Sequence, residues 1–162
     1  MITFSYLDKS DKNNLLPILF DILYNNMKVI APSDLGYEEV FAQWVSRVSP
    51  ALERSARQVI VCHNGKNIVG FLQYYINREL LMIEEVQLER SYQRTMTFYR
   101  LCKYLKEMIP GNVQQIEAFA HRQNINSISL MNHLGMVSID DDGNSPFLHL
   151  RGCANAVKSK IR

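Results

Sequence analysis

Between residues 58 and 88 the chain has three consecutive segments with the apolar patterns of β-strands, and this β-meander constrains the fold more than any other feature. The first two segments are joined through Asn64-Gly65, and Asn-Gly is the strongest short-range signal for a hairpin. Segments with helical spacing lie on both sides of the meander. The sequence therefore predicts an α/β (α+β) fold, with a mixed, mostly antiparallel sheet and helices on both faces.

The periodicity along the whole chain predicts the element order β-α-α-β-β-β-α-β-α-β-β. In that order, the predicted elements are residues 2–7, 15–27, 37–54, 58–62, 67–77, 80–88, 96–109, 113–120, 126–134, 136–139 and 147–151. The chain contains no repeat and no linker-like segment, so residues 1–153 are predicted to form a single domain. Residues 154–162, which are rich in Lys and Arg, are predicted to be a frayed basic tail.

Composition excludes several classes of function. With 162 residues, of which 47% are hydrophobic, the chain is long enough to bury a core. Its 18 basic and 16 acidic side chains give a net charge of +2, which argues against nucleic acid as a partner. No secretory signal and no apolar run of roughly 18 residues is found, so no membrane association is predicted. Three cysteines without CxxC spacing favour a cytoplasmic location, and no histidine pair has the spacing of metal ligands.

A basic loop follows the third strand of the meander, between Leu88 and the helix that begins near Met96. The first amides of a helix lack internal partners, and the helix dipole makes this end partly positive, so such an end can bind phosphate. Arg90, Arg94 and Arg100 would add charge-assisted contacts to a diphosphate. For these residues alone, a solvated basic helix is the alternative interpretation.

A second motif lies directly after the next predicted strand. Residues 124–136 resemble the Asn-x-x-Ala-x-x-Leu-Tyr-x-x-x-Gly-Phe signature of the GNAT superfamily, the acetyl-CoA-dependent N-acetyltransferases. The matching positions are Asn124, Ser127, Leu130 and Gly135, with Met136 in place of Phe. When residues 124–136 are aligned with this signature, the third strand of the meander and the basic loop resemble the other family motif, Glu-Glu-Leu-x-Val-x-Pro-x-Tyr-Arg-Gly-x-Gly-x-Gly. Its matching positions are Glu84, Glu85, Val86, Leu88, Tyr92 and Gln93.

The sequence departs from the family pattern at the glycines of this loop. They are replaced by Arg94, Met96 and Phe98, and the family's tyrosine in the second motif is replaced by Met131. Glycine allows phosphate to approach the backbone closely. The side chains of Met96 and Phe98 must therefore point away from the phosphate cradle, and the enzymatic hypothesis fails if either fills it.

The resemblance implies acetyl-CoA, or another acyl-CoA, as the cofactor. The backbone at Val86 and Leu88 would hold the pantetheine along a strand edge, and the amide of Val86 would polarise the thioester carbonyl. The other implied cofactor-binding residues are Gln93, Arg94, Thr95, Met96, Thr97, Phe98, Asn124 and Ser127.

The family's reaction is direct transfer of an acetyl group to a primary amine of a small molecule or peptide. Such an amine is mostly protonated near neutral pH, so a base must remove a proton before attack. Glu84 and Glu85 are the candidates, and strand alternation points them to opposite faces, so only one can serve. Glu85 is preferred over Glu84, and a charge at a sheet edge is the alternative role for both.

The resemblance to the GNAT superfamily implies that the first two helices border the acceptor site. Tyr37, Trp44 and Tyr74 are therefore the predicted substrate-binding residues, with a place in the core as the alternative for Tyr37 and Trp44. The second functional hypothesis is a catalytically degenerate GNAT-fold protein that acts as an acyl-CoA-binding or regulatory interaction module. The last predicted hairpin offers an edge through which a homodimer could form.

Overall fold

The computed structural model describes residues 1–54 and 56–161, and its mixed α/β architecture confirms the predicted fold class. The strands are β1 (Ile2–Tyr6), β2 (Gln58–Asn64), β3 (Asn67–Asn77), β4 (Leu80–Leu88), β5 (Gln115–His121), β6 (Val137–Ile139) and β7 (Phe147–Cys153). The helices are α1 (Lys12–Ile30), α2 (Tyr37–Arg54), α3 (Thr97–Met108), α4 (Ile125–His133) and α5 (Ala154–Lys160). The order agrees with the predicted one, with α5 added at the end.

The strands form a mixed sheet in the order β1-β2-β3-β4-β5-β7-β6. β4 and β5 pair in parallel, whereas the pairs β1–β2, β5–β7 and β6–β7 are antiparallel. The parallel register begins with Leu80 opposite Gln115 and ends with Ile83 opposite Ala118, although both strands continue further. Glu84 is the first residue of β4 beyond this register.

The chain divides into two compact units. Unit 1 contains residues 1–73 and 85–98, and unit 2 contains residues 74–84 and 99 onward. β3 and β4 contribute residues to both units. The single domain that the sequence predicts for residues 1–153 stays a prediction.

Helices α1 and α2 provide the core of unit 1. On α1, Leu16, Leu19, Phe20 and Leu23 recur at the spacing that keeps side chains on one helix face, and all four are buried. They pack in one cluster with Trp44 of α2. The other buried members of the cluster are Leu7, Leu52, Val59, Val61 and Phe71.

Close contact between β3 and β4 in unit 1 requires glycine at position 70. A Cβ atom added to Gly70 would lie 2.6 Å from the carbonyl oxygen of Gln87 and 2.4 Å from Leu88 Cδ2. Both separations are too short for a side chain, so Gly70 sets how closely β3 approaches the end of β4.

Unit 2 buries one side of β5. Ile116, Ala118 and Ala120 alternate along the strand and are all buried, as expected for the inner face of a sheet. The opposite side of the same strand carries Glu117 and Phe119, and more than half of the Phe119 side chain is exposed.

Residues 154–161 are ordered, so the prediction of a frayed tail is wrong for them; Arg162 lies outside the described residues. Residues Ala154–Lys160 form α5, in which Ala154 and Val157 are buried, and Ile161 is buried beyond it. Lys106 Nζ of α3 donates to the carbonyl oxygen of Ile161 at 2.8 Å. The basic charges of this segment are typical of a solvated tail, but the apolar residues Val157 and Ile161, four positions apart, anchor it in unit 2.

Candidate active site

Both predicted catalytic glutamates lie near the carboxyl end of β4, Glu84 in unit 2 and Glu85 in unit 1. Because side chains alternate along a strand, Glu85 and Gln87 share one face of β4 and Glu84 belongs to the other. Glu84 and Glu85 are both half-buried. Gln87 Nε2 donates to Glu85 Oε1 at 2.7 Å, and this hydrogen bond orients the Glu85 carboxylate.

Asn26 of α1 connects the face of β4 that bears Glu85 with the following loop. Asn26 Nδ2 donates to Gln87 Oε1 at 2.8 Å and to the carbonyl oxygen of Leu88 at 2.9 Å. Gln93 Nε2 donates to Asn26 Oδ1 at 3.0 Å and to the same Leu88 oxygen at 2.9 Å. The buried side chains of Asn26 and Gln87 are thus hydrogen-bonded on both of their polar atoms.

Sequence reasoning missed Asn26, although a signal was present. Its position continues the apolar face of α1 from Leu19, Ile22 and Leu23, where a polar side chain is unusual. A buried polar side chain on such a face requires hydrogen-bond partners. The sequence could therefore have indicated a polar contact for this side chain, but not that the partners come from β4 and the loop.

The loop between β4 and α3 keeps a glycine-like backbone without glycine. After a one-turn 3-10 helix, Arg90–Tyr92, Arg94 adopts a φ of +58°. This value lies in the left-handed region that glycine enters most easily. Arg94 occupies the position of the first glycine in the family motif, and its side chain is exposed. The loop therefore contains a left-handed residue at this position, and that residue carries a cationic side chain.

The two bulky replacements in this loop differ in exposure. Met96 is 66% exposed, so its side chain is not packed into the interior of unit 1. Phe98, in the first turn of α3, is buried at 9% exposure. The large side chain at position 96 is directed to solvent, and the one at position 98 is directed into the protein.

One amide at the start of α3 already has a partner within the protein. Thr95 Oγ1 accepts a hydrogen bond from the Thr97 amide at 3.2 Å, and it donates to the carbonyl oxygen of Tyr92 at 2.7 Å. The Thr97 hydroxyl oxygen lies 2.9 Å from Thr95 Oγ1. Thr95 therefore caps the helix from within the loop, and a phosphate that used the Thr97 amide would have to displace it.

In unit 2, Asn124 and Ser127 act together at the start of α4. Asn124 is the N-cap residue, and its Oδ1 accepts from the Ser127 amide at 3.1 Å. This hydrogen bond satisfies one of the unpaired donors at the helix start. Met131, at the position of the family's tyrosine, is buried in the same helix.

The predicted substrate residues Tyr37 and Trp44 belong to an aromatic cluster in unit 1. The ring of Phe20 lies 5.2 Å from Tyr37 and 5.4 Å from Trp44, measured between ring centroids. The Tyr37 hydroxyl donates to Asp21, and burial together with this carboxylate raises the pKa of Tyr37 to about 12. Tyr74, on the part of β3 that belongs to unit 2, is buried.

A cavity of about 320 Å³ opens in unit 1 beside α1. Its lining combines carboxylate, amide, guanidinium and aliphatic side chains: Ile18, Asp21, Ile22, Asn25, Asn26, Ile68, Glu89 and Arg90. Asn26 belongs both to this lining and to the hydrogen-bonded group around Glu85. Gln87 forms hydrogen bonds with both Asn26 and Glu85, so it links the lining of the cavity to the preferred catalytic base.

The buried Cys62 is not an activated nucleophile. Burial raises the pKa of Cys62 to about 12, which keeps its thiol protonated. Cys153 is exposed, and hydrogen bonds from the backbone of Ala156 and Asn155 lower the pKa of its thiol.

A buried carboxylate lies in unit 2, on β5. Glu117 Oε2 lies 2.7 Å from His149 Nε2, and Glu117 Oε1 accepts from Arg151 Nε at 2.6 Å. The His149 ring stacks on Phe119 with a centroid distance of 4.4 Å. Burial by itself raises the pKa of Glu117, but the hydrogen bonds and charges of His149 and Arg151 outweigh burial and hold the pKa below its usual value.

Glu117 is expected to make the stability of the protein depend on pH in the acidic range. Because its pKa is lower in the folded than in the unfolded chain, its contribution is complete above the unfolded value, 4.5, and is lost as pH falls through the folded value. Urea unfolding between about pH 6 and pH 3 should show a smaller loss of stability in Glu117→Gln than in the wild type. Equal losses in the two proteins would contradict this role.

Within residues 1–54 and 56–161, no group of three or more His, Cys, Asp or Glu side chains has an arrangement that could hold a metal ion. Over the same residues, no helix combines the length and the apolar character needed to cross a membrane.

Comparison with known proteins gives structural but not sequence matches. No protein-family model and no curated protein matches the sequence. The fold is similar to that of the PaiA N-acetyltransferase of Thermoplasma acidophilum, crystallised with coenzyme A, at a TM-score of 0.73 and 16% identity; the alignment covers 94% of this chain and 99% of that one. It is also similar to a GNAT-family acetyltransferase of Staphylococcus aureus Mu50, at a TM-score of 0.72 and 13% identity, with 95% and 99% of the two chains covered.

A third similar structure is the spermidine N-acetyltransferase of Vibrio cholerae, which was crystallised with coenzyme A and spermine. Its TM-score is 0.65 at 13% identity, and the alignment covers 96% of this chain and 97% of that one. The protein therefore has the GNAT acetyltransferase fold, as the order of its elements and its two motifs predict.

Proposed function

We propose that the protein is an N-acetyltransferase that transfers an acetyl group from acetyl-CoA, or another acyl-CoA, directly to a primary amine of a small molecule or peptide. The observation that carries this proposal is the position of Glu85. Its half-buried carboxylate lies on β4 and is oriented by Gln87, in the unit that also holds the glycine-like loop at Arg94. The fold and the two coenzyme A complexes among the similar structures support the same function.

The residues of the loop fit a coenzyme A ligand in two respects. Arg94 adopts a left-handed backbone conformation, which glycine enters most easily, and Met96 directs its side chain to solvent. Val86 and Leu88 would bind the ligand through their backbone, and Arg94 would contribute charge to its phosphates. Gln93, Thr95, Thr97 and Phe98 in the loop and α3, and Asn124 and Ser127 in unit 2, are the other proposed binding residues. Bound acetyl-CoA supplies the activated acetyl group.

Glu85 is the proposed general base, with Glu84 as the alternative. It accepts a proton from the substrate ammonium group, which frees the nitrogen electron pair for attack on the thioester carbonyl. The amide of Val86 polarises that carbonyl. With acetyl-CoA bound, the C–S bond would break, with its electron pair on sulfur, as the C–N bond forms. The nitrogen would lose its second proton and the sulfur would gain one, which leaves the amide and the free thiol, and the proton held by Glu85 would pass to solvent. Tyr92 is one candidate donor, because its hydroxyl accepts from Asn64 Nδ2 at 2.8 Å and keeps its own proton to give.

A cationic acceptor is consistent with the charges in unit 1. The carboxylates of Asp21 and Glu89 line the cavity beside α1, where Arg90 also contributes a positive charge. One similar structure contains spermine, a small-molecule amine. Tyr37, Trp44 and Tyr74 remain the proposed aromatic contacts of the acceptor site.

Two measurements test the function. Calorimetric titration of the wild-type protein with acetyl-CoA measures cofactor binding, and a thiol assay over a panel of primary amines measures acetyl transfer. We expect heat of binding and amine-dependent release of thiol. The absence of heat at high micromolar protein would overturn the proposed use of acetyl-CoA.

The second candidate function is a catalytically degenerate acyl-CoA-binding or regulatory interaction module. Two observations favour it: the Thr97 amide is engaged by Thr95, and the buried side chain of Met131 cannot protonate a leaving thiolate. Binding of acetyl-CoA without thiol release for any amine would select this candidate over the enzyme.

Two substitutions of Arg94 separate its charge from its backbone conformation. Arg94→Glu should weaken acetyl-CoA binding at least about tenfold, because a carboxylate would repel the phosphates. Arg94→Gly removes the charge but keeps the left-handed conformation, so its loss should be smaller. Calorimetric dissociation constants measure both effects. Equal affinities in the wild type and Arg94→Glu would show that the loop does not bind phosphate.

We further propose a cytoplasmic location, because none of the three cysteines forms a disulfide bond, and a homodimer. The support for a homodimer comes from unit 2, where Phe119, Val137 and Phe147 are exposed apolar side chains on three neighbouring strands. The register puts these side chains on the same face of the sheet, and exposed apolar patches of this kind commonly mark interfaces.

A further inference from the structure

A one-way chain of amide hydrogen bonds leads from the loop after β4 to Glu85. It runs from Gln93 to Asn26, from Asn26 to Gln87 and from Gln87 to Glu85, each residue donating to the next. All four residues belong to unit 1. The first residue of the chain belongs to the loop that we propose to bind the cofactor, and the last is the proposed base.

The charge of Glu85 fixes the direction of this chain. An ionised carboxylate can only accept hydrogen bonds, so Gln87 must turn its NH₂ group toward Glu85 and its oxygen toward Asn26. Asn26 must then present its NH₂ group to Gln87 and to the carbonyl oxygen of Leu88, which leaves its oxygen for Gln93. Rotating any of these amides would bring two acceptors or two donors together.

Burial makes the chain costly to break. Asn26 and Gln87 are 7% and 9% exposed, so water does not readily replace a lost partner. The shared carbonyl oxygen of Leu88 ties Asn26 and Gln93 to the end of β4 at one point. Side-chain amides do not titrate, so a proton that Glu85 accepts is not passed along the chain.

We propose, on the basis of the proposed function, that Asn26 and Gln87 are positioning residues that hold Glu85 in the orientation in which it accepts a proton. Gln93 connects these residues to the loop after β4. The catalytic group is Glu85 alone. The orientation of the Glu85 carboxylate and the conformation of the loop depend on the same hydrogen bonds. A loop held in one conformation therefore also holds Glu85 in one orientation.

Isosteric substitutions test this role, because they change donors into acceptors without changing side-chain volume. Gln87→Glu places a second carboxylate within hydrogen-bond distance of Glu85, and we expect the acidic limb of the pH profile of kcat/KM to move up by about one pH unit or more. Asn26→Asp removes the donor to Gln87 and Leu88, and we expect kcat/KM to fall about tenfold. Asn13→Asp, at an exposed position of α1, is the matched control and should behave as the wild type.

A carbon-13 NMR titration of the Glu85 carboxyl group, assigned with Glu85→Gln, gives a readout that does not need activity. In Gln87→Glu its titration midpoint should rise, whereas Asn13→Asp should leave it unchanged. An active wild-type enzyme with an unmoved midpoint and an unmoved pH profile in Gln87→Glu overturns the positioning role. If the wild-type protein neither binds acetyl-CoA nor acetylates amines, the proposed function is overturned. The hydrogen bonds from Gln93 to Glu85 then have no catalytic role, even if the titration midpoint of Glu85 rises in Gln87→Glu.

Discussion

Replacing Glu85 by Gln is expected to lower the rate of acetyl transfer by about 10²-fold or more, the usual contribution of a general base. Glutamine keeps the size of the side chain but cannot accept a proton from the substrate ammonium group. The affinity for acetyl-CoA should stay unchanged, because the Glu85 carboxylate is not among the proposed cofactor-binding groups. Steady-state thiol release and calorimetric binding measure the two quantities on the same protein.

Two further glutamate variants make this experiment decisive. Glu84→Gln tests the alternative base on the opposite face of β4, and we expect a much smaller effect on the rate. Glu79→Gln, at an exposed position before β4, controls for the loss of one negative charge. Unchanged activity in both Glu84→Gln and Glu85→Gln would refute the assignment of the base to this pair.

Replacing Phe20 by Ala is expected to reduce the free energy of unfolding by about 3–5 kcal/mol, the usual cost of removing a buried phenyl ring. The Phe20 ring is 1% exposed and has four aromatic neighbours with centroid distances of 5.1 to 5.7 Å. The neighbours are Tyr24, Tyr37, Phe41 and Trp44. Its removal would leave a cavity that these larger, rigid rings cannot easily fill.

Urea unfolding followed by the fluorescence of Trp44, the one tryptophan of the chain, measures this loss. Val29→Ala is the matched control on the same helix, because Val29 is exposed and its truncation should change stability by less than about 0.5 kcal/mol. Similar unfolding free energies for Phe20→Ala and Val29→Ala would mean that the aromatic cluster is not the core of unit 1.

Two of the three strands of the β-meander could be predicted from the sequence to the residue, whereas β2 extends two residues beyond its predicted end. The predicted bounds of β3 and β4 agree with the structure because Asn64-Gly65 fixes the turn and the apolar runs end at polar residues. Helix α1 extends three residues further than predicted at each end: the added residues are polar at the start, and at the end Lys28 and Val29 are exposed. Local periodicity finds the interior of an element, but polar ends carry no such signal.

The glutamate pair and the loop could also be found from the sequence, but their geometry could not. Nothing local to Arg94 predicts a positive φ, because this conformation is imposed by the chain on both sides of the loop. Likewise, the contact of Asn26 with Gln87 joins residues 61 positions apart, and no local pattern encodes it. Tertiary partners of buried polar groups are visible only once the elements are packed.

Arg94 has a consequence for how such proteins are recognised. Its left-handed backbone shows that a turn of the kind usually formed by glycine can be built with a large side chain. Chains of this kind leave little trace in residue-by-residue alignment while their folds remain superimposable, which is the combination observed for this protein. Searching structures for a left-handed residue between a β-strand and a helix would find loops of this kind that a search for glycine in sequences misses.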